Sequence, residues 1–417
     1  MPKLDSIDYE TAQAINAVAM AEDRAQAANA YRHHAELLKN WRIVYADTSD
    51  QSMIQTRRCG LAGGGHASSL FRGNALWLLD DNLLSRRASS DFVCGMGTYL
   101  DSNAASLIRS LAYSDNPSEA VVTKAGAAWG FLGAGNIANP YLYLWEALRH
   151  PSDKTTKACR ETFAANHALA QEQTMPGVEW GRRYRAELRE DAEAVADQFL
   201  ADFQRFLDDG LADALDGQVE MVEAMLVRTK IIEYSSKKSP QHKMRELITF
   251  MHEELSTIMT RELIVCADIL CRGGQSRLSQ KLNSVRNGSD PFGVLRNCAW
   301  DLFLPRALDM LAGSTPVEGM DFYLPHLITF DGDVEDILTL TELRSIALHR
   351  PSGKVLPFFN FDPFSWISER LGEKRTDEIH PLFQETAYAD RSARRTRDAI
   401  RATLARDREV LRAIISP

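Results

Sequence analysis

Acidic residues follow two apolar segments of this chain at the points where each segment would end as a strand. The segment 92–100 (FVCGMGTYL) is followed by DSN at 101–103, and the segment 323–330 (YLPHLITF) is followed by DGD at 331–333. In open parallel sheets, functional groups gather outside the carboxyl ends of the strands. Carboxylate oxygens are the ligands that hard divalent cations prefer. The alternative is that these acids cap the helices that follow them.

Two further carboxylates, Glu146 and Asp301, lie within apolar helical sequence. Glu146 belongs to the stretch 140–148 (PYLYLWEAL), and Asp301 belongs to the stretch 298–304 (CAWDLFL). Burying a carboxylate in such surroundings is costly unless it is paired or bound to a ligand. Each acid is therefore either part of a site or an exposed residue on the polar face of its helix.

Taken together, these positions resemble the PIN-domain nucleases and their PIN-like relatives. The matching features are the Asp-x-Asn that begins at Asp101, the acids on two later helices, and the Thr-x-Asp-x-Asp turn at 329–333. The resemblance implies that bound divalent ions activate water for hydrolysis of phosphodiester bonds. It also implies a set of catalytic residues that bind Mg²⁺ or Mn²⁺, namely Asp101, Glu146, Asp301 and Asp331, with Asp333 as a fifth ligand.

The resemblance covers 96–150 and 290–362 and implies RNA, rather than DNA, as the preferred substrate. Compact PIN domains have far fewer residues between the helical Glu and the next Asp than this chain has. Another acid could therefore take the position of Glu146, and the candidates are Glu253, Glu254 and Glu262.

Several polar and basic residues near the acids are candidates for substrate binding. Asn103 and Thr329 match the polar neighbours of the family motif. Nearby cations could hold the nucleic-acid backbone, since phosphate contacts are made mostly by Lys and Arg. The candidates are Lys281, Arg286 and Arg306, and the alternative is that these three lie on solvated helix faces.

The pattern along the chain predicts an α/β fold with a parallel sheet of PIN-like type flanked by helices. The apolar segments 323–330 and 355–361 are separated by a predicted helix over 334–347, which forms a βαβ pattern. Residues 153–285 show almost only helical patterns, so we expect an all-α insertion that leaves the sheet continuous. The expected divisions are an N-terminal mixed segment at 1–95, a catalytic domain at 96–150 and 290–372, the insertion at 151–289, and an Arg-rich helical segment at 373–417.

Within the N-terminal segment, three local patterns give further expectations. Residues 5–40 are rich in Ala and lack Gly and internal Pro, which predicts a helix. Residues 41–46 (WRIVYA) predict a strand, and the three consecutive glycines at 63–65 predict a loop over 60–69.

A second motif, Gly133-Ala-Gly135-x-x-Ala138, is similar to the dinucleotide-binding turn of NAD(P)-dependent oxidoreductases. Pro140 falls in the helix that should follow, and no acid ends a second strand about 20 residues on. We therefore expect no NAD(P)H binding at micromolar concentration. A third hypothesis is a non-catalytic helical interaction protein whose acids serve only as caps.

Composition excludes several classes of protein. The chain has 417 residues, 45% hydrophobic residues and a net charge of −9, which excludes wholesale disorder and a histone-like polycation. Its six cysteines form no CxxC, so we expect neither a zinc knuckle nor a disulfide framework. The N-terminal sequence lacks the apolar region of a secretory signal peptide. The stretch 125–145 is too rich in Gly, Ala and Asn to predict a membrane-spanning helix. We expect a soluble cytoplasmic protein with no membrane partner, whose insertion could gate substrate or mediate self-association.

Overall fold

The computed structural model describes residues 7–47, 54–56, 58–72, 75–81, 84, 93–149, 151–208, 212–272, 276–313 and 319–415. Over these residues the fold is mixed α/β, with two small sheets and an extensive helical part. The predicted α/β class is therefore confirmed in its broad form. The predicted parallel sheet is wrong for most of the described strands, because all but one of their pairings are antiparallel.

The strands fall into an N-terminal group, one central strand and a C-terminal group. They are β1 (Trp41–Asp47), β2 (Ile54–Gln55), β3 (Arg58–Leu61), β4 (Gly65–Ser69), β5 (Ala75–Leu79), β6 (Cys94–Leu100), β7 (Phe322–Thr329), β8 (Leu343–His349) and β9 (Lys354–Phe359).

The helices before the last strand pair begin with α1 (Tyr9–Ala19), α2 (Arg24–His33) and α3 (Ala35–Leu38). They continue with α4 (Ser102–Tyr113), α5 (Glu119–Leu132), α6 (Tyr141–Leu148), α7 (Asp153–Ala170), α8 (Val178–Arg183), α9 (Arg189–Phe206), α10 (Ala212–Ser235), α11 (Pro240–Glu253), α12 (Thr260–Arg272), α13 (Arg277–Asn283), α14 (Pro291–Ala312) and α15 (Gly332–Leu340). A π-helical turn at Tyr184–Leu188 joins α8 to α9. The C-terminal helices are α16 (Pro363–Leu371), α17 (Glu373–Ile379), α18 (Glu385–Arg394) and α19 (Arg397–Ile415).

The first sheet has the strand order β2-β5-β1-β8-β9 and is antiparallel throughout. The strand predicted at 41–46 is confirmed as β1. The helix predicted over 334–347 is wrong in its second half, because 343–349 forms β8 and pairs antiparallel with β9. The reason is the tight turn after His349, where Gly353 adopts a φ of +64° that suits a hairpin. The predicted βαβ unit therefore does not form, since β7 and β9 belong to different sheets.

The second sheet has the strand order β3-β4-β7-β6, and its β6 and β7 are parallel. Their register aligns Leu100 with Ile328, so both strands end at the same edge of the sheet. The loop predicted over 60–69 is instead the hairpin β3–β4, whose turn holds Gly63 and Gly64 at φ +83°. Because β4 runs antiparallel to β7, this turn lies at that same edge.

Helices account for the secondary structure found in the described part of 151–289, where no strand is present. β6 and β7 nevertheless pair directly, although that helical stretch separates them in the sequence. The single helix predicted over 5–40 is wrong, because α1, α2 and α3 are separate. Asp23 causes the first break: its side chain accepts from the backbone N–H of Gln26 and caps α2.

One main hydrophobic core joins both sheets to the helical part. It includes Leu100 and Ile328 from the second sheet, Val44 from the first, and residues of α10, α12 and α14. A smaller core lies between α1, α2 and the opposite face of the first sheet, around Ile15, Tyr31 and Trp41. The Arg-rich α19 packs on α10, where Arg228 forms a 2.7 Å ion pair with the buried Asp407. In the other direction, Arg397 and Arg401 of α19 bind Glu220, and Arg408 binds Glu223, so these C-terminal arginines face acids of this protein.

Candidate functional site

Asp101 sits at the junction between β6 and α4. Its side chain accepts a 2.6 Å hydrogen bond from the backbone N–H of Ala104, as an N-cap does. Its other oxygen accepts a hydrogen bond from the hydroxyl of Thr329, the last residue of β7. Asp101 is only 5% exposed. The parallel register of β6 and β7 therefore fixes this carboxylate at the edge where β7 also ends.

Asp331 and Asp333 occupy the turn that joins β7 to α15. Asp331 caps α15 by accepting a 3.1 Å hydrogen bond from the backbone N–H of Asp333. The Thr329 hydroxyl accepts a 2.9 Å hydrogen bond from the Asp331 backbone N–H. Thr329 therefore holds in place both Asp101, at the end of β6, and Asp331, at the end of β7. Asp333 is buried, whereas Asp331 is partly exposed.

Asp301 reaches the same position from the middle of α14. Its carboxylate forms a 2.7 Å ion pair with the ammonium group of Lys281 on α13. That ammonium also lies 3.6 Å from Asp331 Oδ2 and 3.3 Å from Asp333 Oδ2. Lys281 therefore forms ion pairs with three carboxylates, one from α14 and two from the start of α15.

Glu146 projects from α6, which packs against α14 through an aromatic pair. The rings of Trp145 and Trp300 meet edge to face with centroids 5.2 Å apart. Because each Trp directly precedes an acid in the sequence, this contact brings Glu146 and Asp301 into the same region. The Glu146 carboxylate accepts a hydrogen bond from the Ser102 hydroxyl in the first turn of α4.

Burial and repulsion between neighbouring carboxylates raise the pKa values of Asp101, Glu146, Asp301 and Asp333. Burial raises the pKa of Asp101 to about 7 against the hydrogen bond from Thr329, and Asp301 and Asp331 add to the rise. Burial raises the pKa of Glu146 to about 8, with Asp301 and Asp101 as further causes. Burial raises the pKa of Asp301 to about 6, although the Lys281 ammonium opposes the rise. Burial and the neighbouring Asp331 also raise the pKa of Asp333.

The arrangement is a set of five carboxylates, three of which form ion pairs with Lys281. Within it, Asp301, Asp331 and Asp333 each offer an oxygen, and these atoms lie within 4.8 Å of one another. An all-oxygen set of this kind suits Mg²⁺ or Mn²⁺. Asp101 and Glu146 belong to the same set, because the charge of Asp301 raises the pKa of both.

The remaining residues predicted from sequence lie in other surroundings. Asn103 is exposed in the first turn of α4. The guanidinium of Arg286 lies over the ring of Tyr234, 5.5 Å from its centroid. Arg306 binds the buried Glu262 at 2.6 Å, on another face of α14 than Asp301. The structure thus brings together Lys281, Thr329 and the five acids, but neither Arg286 nor Arg306 forms an ion pair with those acids in the described part of the chain.

The alternative glutamates have partners of their own or lie in solvent. Glu262 is bound by Arg306, Glu254 forms a 3.2 Å ion pair with Arg406, and Glu253 is exposed. Glu146 is the glutamate that lies with the acids.

Sequence reasoning missed two residues of this region. Ser102 holds Glu146, and Arg277 begins α13 one helical turn before Lys281. The i, i+4 spacing of Arg277 and Lys281 is a signal that could have indicated a shared helix face.

The turn at Gly133–Gly135 lies between two helices. It follows α5 and precedes α6, whereas a dinucleotide-binding turn follows a strand and opens a helix. Gly133 ends α5 with φ +81°, so its backbone conformation is explained by termination of that helix.

Comparison with known proteins gives no match: no family model, no curated protein and no solved structure is similar to this chain at a significant level. None of the helices among the described residues is long and apolar enough to cross a membrane.

Proposed function

We propose that this protein is a PIN-like, divalent-cation-dependent nuclease that hydrolyses phosphodiester bonds, with RNA as the preferred substrate. The observation that carries the proposal is the meeting of five carboxylates from four separate segments, three of which form ion pairs with Lys281. The preference for RNA, the PIN-like assignment and the two-piece catalytic domain rest on the sequence resemblance. The parallel pair β6–β7, with acids at both strand ends, is the part of the fold that agrees with it.

Helix capping explains only part of the acid set. Asp101 and Asp331 do cap α4 and α15, so these two residues alone would fit a non-catalytic protein. Asp301 and Glu146 lie within α14 and α6 and cap nothing. Carboxylates that outnumber their cationic partners are expensive to keep near one another unless a further cation binds them. The surplus of acids therefore favours a cation site over a purely structural role.

The donor set fits Mg²⁺ or Mn²⁺. Asp301, Asp331 and Asp333 would hold the ion, with Asp101 and Glu146 available beside them. When bound, such an ion lowers the pKa of water and neutralises charge on the phosphate oxygens.

The side chains around the acids would maintain this arrangement. The Thr329 hydroxyl orients Asp101 by donating a hydrogen bond to its carboxylate. The same hydroxyl accepts from the Asp331 backbone N–H, which orients the turn after β7. Ser102 orients Glu146. Lys281 offsets part of the negative charge and is also a cation that could contact substrate phosphate.

A cleavage assay on labelled single-stranded RNA and DNA, with Mg²⁺ or Mn²⁺ and with EDTA as control, tests the proposal. We expect metal-dependent cleavage of RNA by the wild type and by Asp191→Asn, a control that removes an exposed acid of α9. We expect none from Asp301→Asn. A wild type that cleaves neither nucleic acid in either metal would overturn the proposed function.

The oxidoreductase alternative lacks a supporting observation, because the turn at Gly133–Gly135 connects two helices. Saturable NAD(P)H fluorescence at micromolar concentration, lost in Gly135→Val, would restore it.

A cytoplasmic location is part of the proposal. It is supported by the six cysteines, all of which are free thiols, as proteins of reducing compartments have. Self-association through the helical stretch 151–289 stays a prediction.

A further inference from the structure

The guanidinium of Arg277 lies directly against the backbone of the acidic turn. A Cβ atom built on Gly332 would be only 1.6 Å from Arg277 Nη1, so the arginine fills the space that any side chain at 332 would need. Gly332 separates Asp331 from Asp333. The backbone N–H of Arg277 also donates a 3.1 Å hydrogen bond to Asp336 Oδ2, which anchors the start of α13 on α15.

The two cations of α13 have different surroundings. Lys281 forms ion pairs with Asp301, Asp331 and Asp333. Arg277, although it touches the same turn, forms no ion pair with a carboxylate among the described residues, and it is exposed. By contrast, Arg72 binds both oxygens of Glu335 on the same helix α15, at 2.7 and 2.6 Å. Arg277 therefore keeps its hydrogen-bond donors available beside the acids.

We propose that Arg277 binds a phosphate of the nucleic-acid strand next to the metal-binding acids. The inference rests on the proposed function and adds a substrate-binding residue to it. A carboxylate set repels a phosphodiester, so a strand needs positive charge at the edge of that set. The planar fork of an arginine matches two phosphate oxygens, whereas an ammonium group acts as a point charge. Gly332 keeps the fork at the turn because it has no side chain to displace it.

Two kinds of variant separate the charge of Arg277 from its position. Arg277→Ala removes the charge, and Arg277→Lys keeps the charge but loses the fork. Gly332→Ala keeps every charged group but places a methyl group where Nη1 lies, so the flexible arginine must move away. Arg182→Ala is the matched control, since Arg182 is 63% exposed and pairs with Glu179 on α8.

The experiment combines three measurements on a labelled single-stranded RNA. Strand affinity comes from fluorescence anisotropy with Ca²⁺, cleavage kinetics use Mn²⁺, and metal binding comes from the Mn²⁺-dependent shift in Tm. In Arg277→Ala we expect roughly tenfold weaker strand binding, a salt dependence reduced by about one phosphate contact, and a raised KM. Arg277→Lys should recover only part of the affinity, and Gly332→Ala should resemble Arg277→Ala. The Tm shift with Mn²⁺ should be retained in all of them.

The outcomes distinguish this inference from the proposed function. If the wild type binds and cleaves the strand and Arg277→Ala does both equally well, Arg277 does not bind the phosphate, and the proposed nuclease activity is retained. If the wild type binds the strand without cleaving it and Arg277→Ala binds less tightly than Arg182→Ala, the phosphate contact is supported and the nuclease activity is refuted. A wild type that neither binds nor cleaves the RNA overturns both.

Discussion

Helix α14 carries two groups of charged residues whose environments differ sharply. Near its C-terminal end, each buried acid has an arginine: Asp309 binds Arg261 at 2.6 Å, and Arg306 binds Glu262 at 2.6 Å. Two turns earlier, Asp301 shares a single lysine with two other carboxylates. The first group is electrically balanced, and the second has a surplus of negative charge.

The contrast indicates what each group does. A balanced buried pair needs no further partner, so the Arg261 and Arg306 pairs fit a role in joining α12 to α14. An unbalanced set of carboxylates opposes its own folding unless a cation binds. Perturbed acids gathered in this way are typical of functional sites. The comparison therefore predicts opposite responses to charge removal at the two positions.

The largest effect should follow Asp301→Asn. Loss of one metal ligand should reduce metal-dependent cleavage by about 10³-fold or more, since an amide oxygen replaces a carboxylate poorly for a hard cation. Metal-free stability should stay unchanged or rise, by about 1 kcal/mol for each pKa unit of repulsion relieved. Cleavage rates and urea unfolding in EDTA measure the two effects. Unchanged activity would show that Asp301 does not bind the catalytic cation.

Arg261→Ala should have a large effect of opposite sign on stability. This change leaves the buried Asp309 without its partner and should lower the free energy of unfolding by about 3–5 kcal/mol. The Mn²⁺-dependent shift in Tm should persist, because the balanced pairs do not hold the cation. Thermal unfolding with and without Mn²⁺ checks both. A variant as stable as the wild type would contradict the structural role of this pair.

A smaller and pH-dependent effect should follow Glu146→Gln. The folded-state pKa of Glu146, about 8, lies above its unfolded value of 4.5, so the folded protein holds a proton that the unfolded chain releases. The wild type therefore loses stability as the pH rises from about 4.5 to 8. The glutamine of the variant does not titrate. In EDTA the variant should therefore become more stable than the wild type as the pH rises from about 4.5 to 8, by on the order of 2 kcal/mol in the free energy of unfolding. Urea unfolding at pH 5 and pH 8 measures this. A difference in the free energy of unfolding between variant and wild type that is equal at both pH values would contradict the prediction.

The smallest effect should follow Lys281→Met. Removal of the ammonium leaves the carboxylates uncompensated, and we expect the metal-free protein to lose about 1 kcal/mol of stability. Mn²⁺ should stabilise this variant more than it stabilises the wild type, because the cation then replaces a missing charge. Tm values with EDTA and with Mn²⁺ provide the comparison. An equal Mn²⁺ shift in both proteins would argue against direct competition between Lys281 and the cation.

The acids of the site were accessible from the sequence because they follow apolar strands or interrupt apolar helices. Asp101 and Asp331 could be expected at one sheet edge, and β6 and β7 do pair in parallel there. The cations could not be chosen in the same way. Arg306 lies five residues after Asp301, but the rotation of α14 between these positions directs it to Glu262, and Arg286 lies over the ring of Tyr234. Arg277 depends on the packing of α13 on α15, which no local pattern reveals.

The sheets were harder to predict than the helices. The segment 343–349 has apolar residues that suit either a helix or a strand, and only its pairing with β1 and β9 decides. The glycines at 63 and 64 indicated a turn correctly, but the flanking residues became strands through pairing with β7. Long-range pairing therefore determined what local sequence left ambiguous.

If the unbalanced acids form a divalent-cation site, calorimetric titration with Mn²⁺ will detect the bound ion. We expect saturable binding to the wild type, equal binding to Asp191→Asn, and binding weakened by at least about tenfold in Asp301→Asn. A wild type that takes up no Mn²⁺, or an Asp301→Asn variant that binds the ion as tightly as the wild type, would show that these acids do not form a cation site.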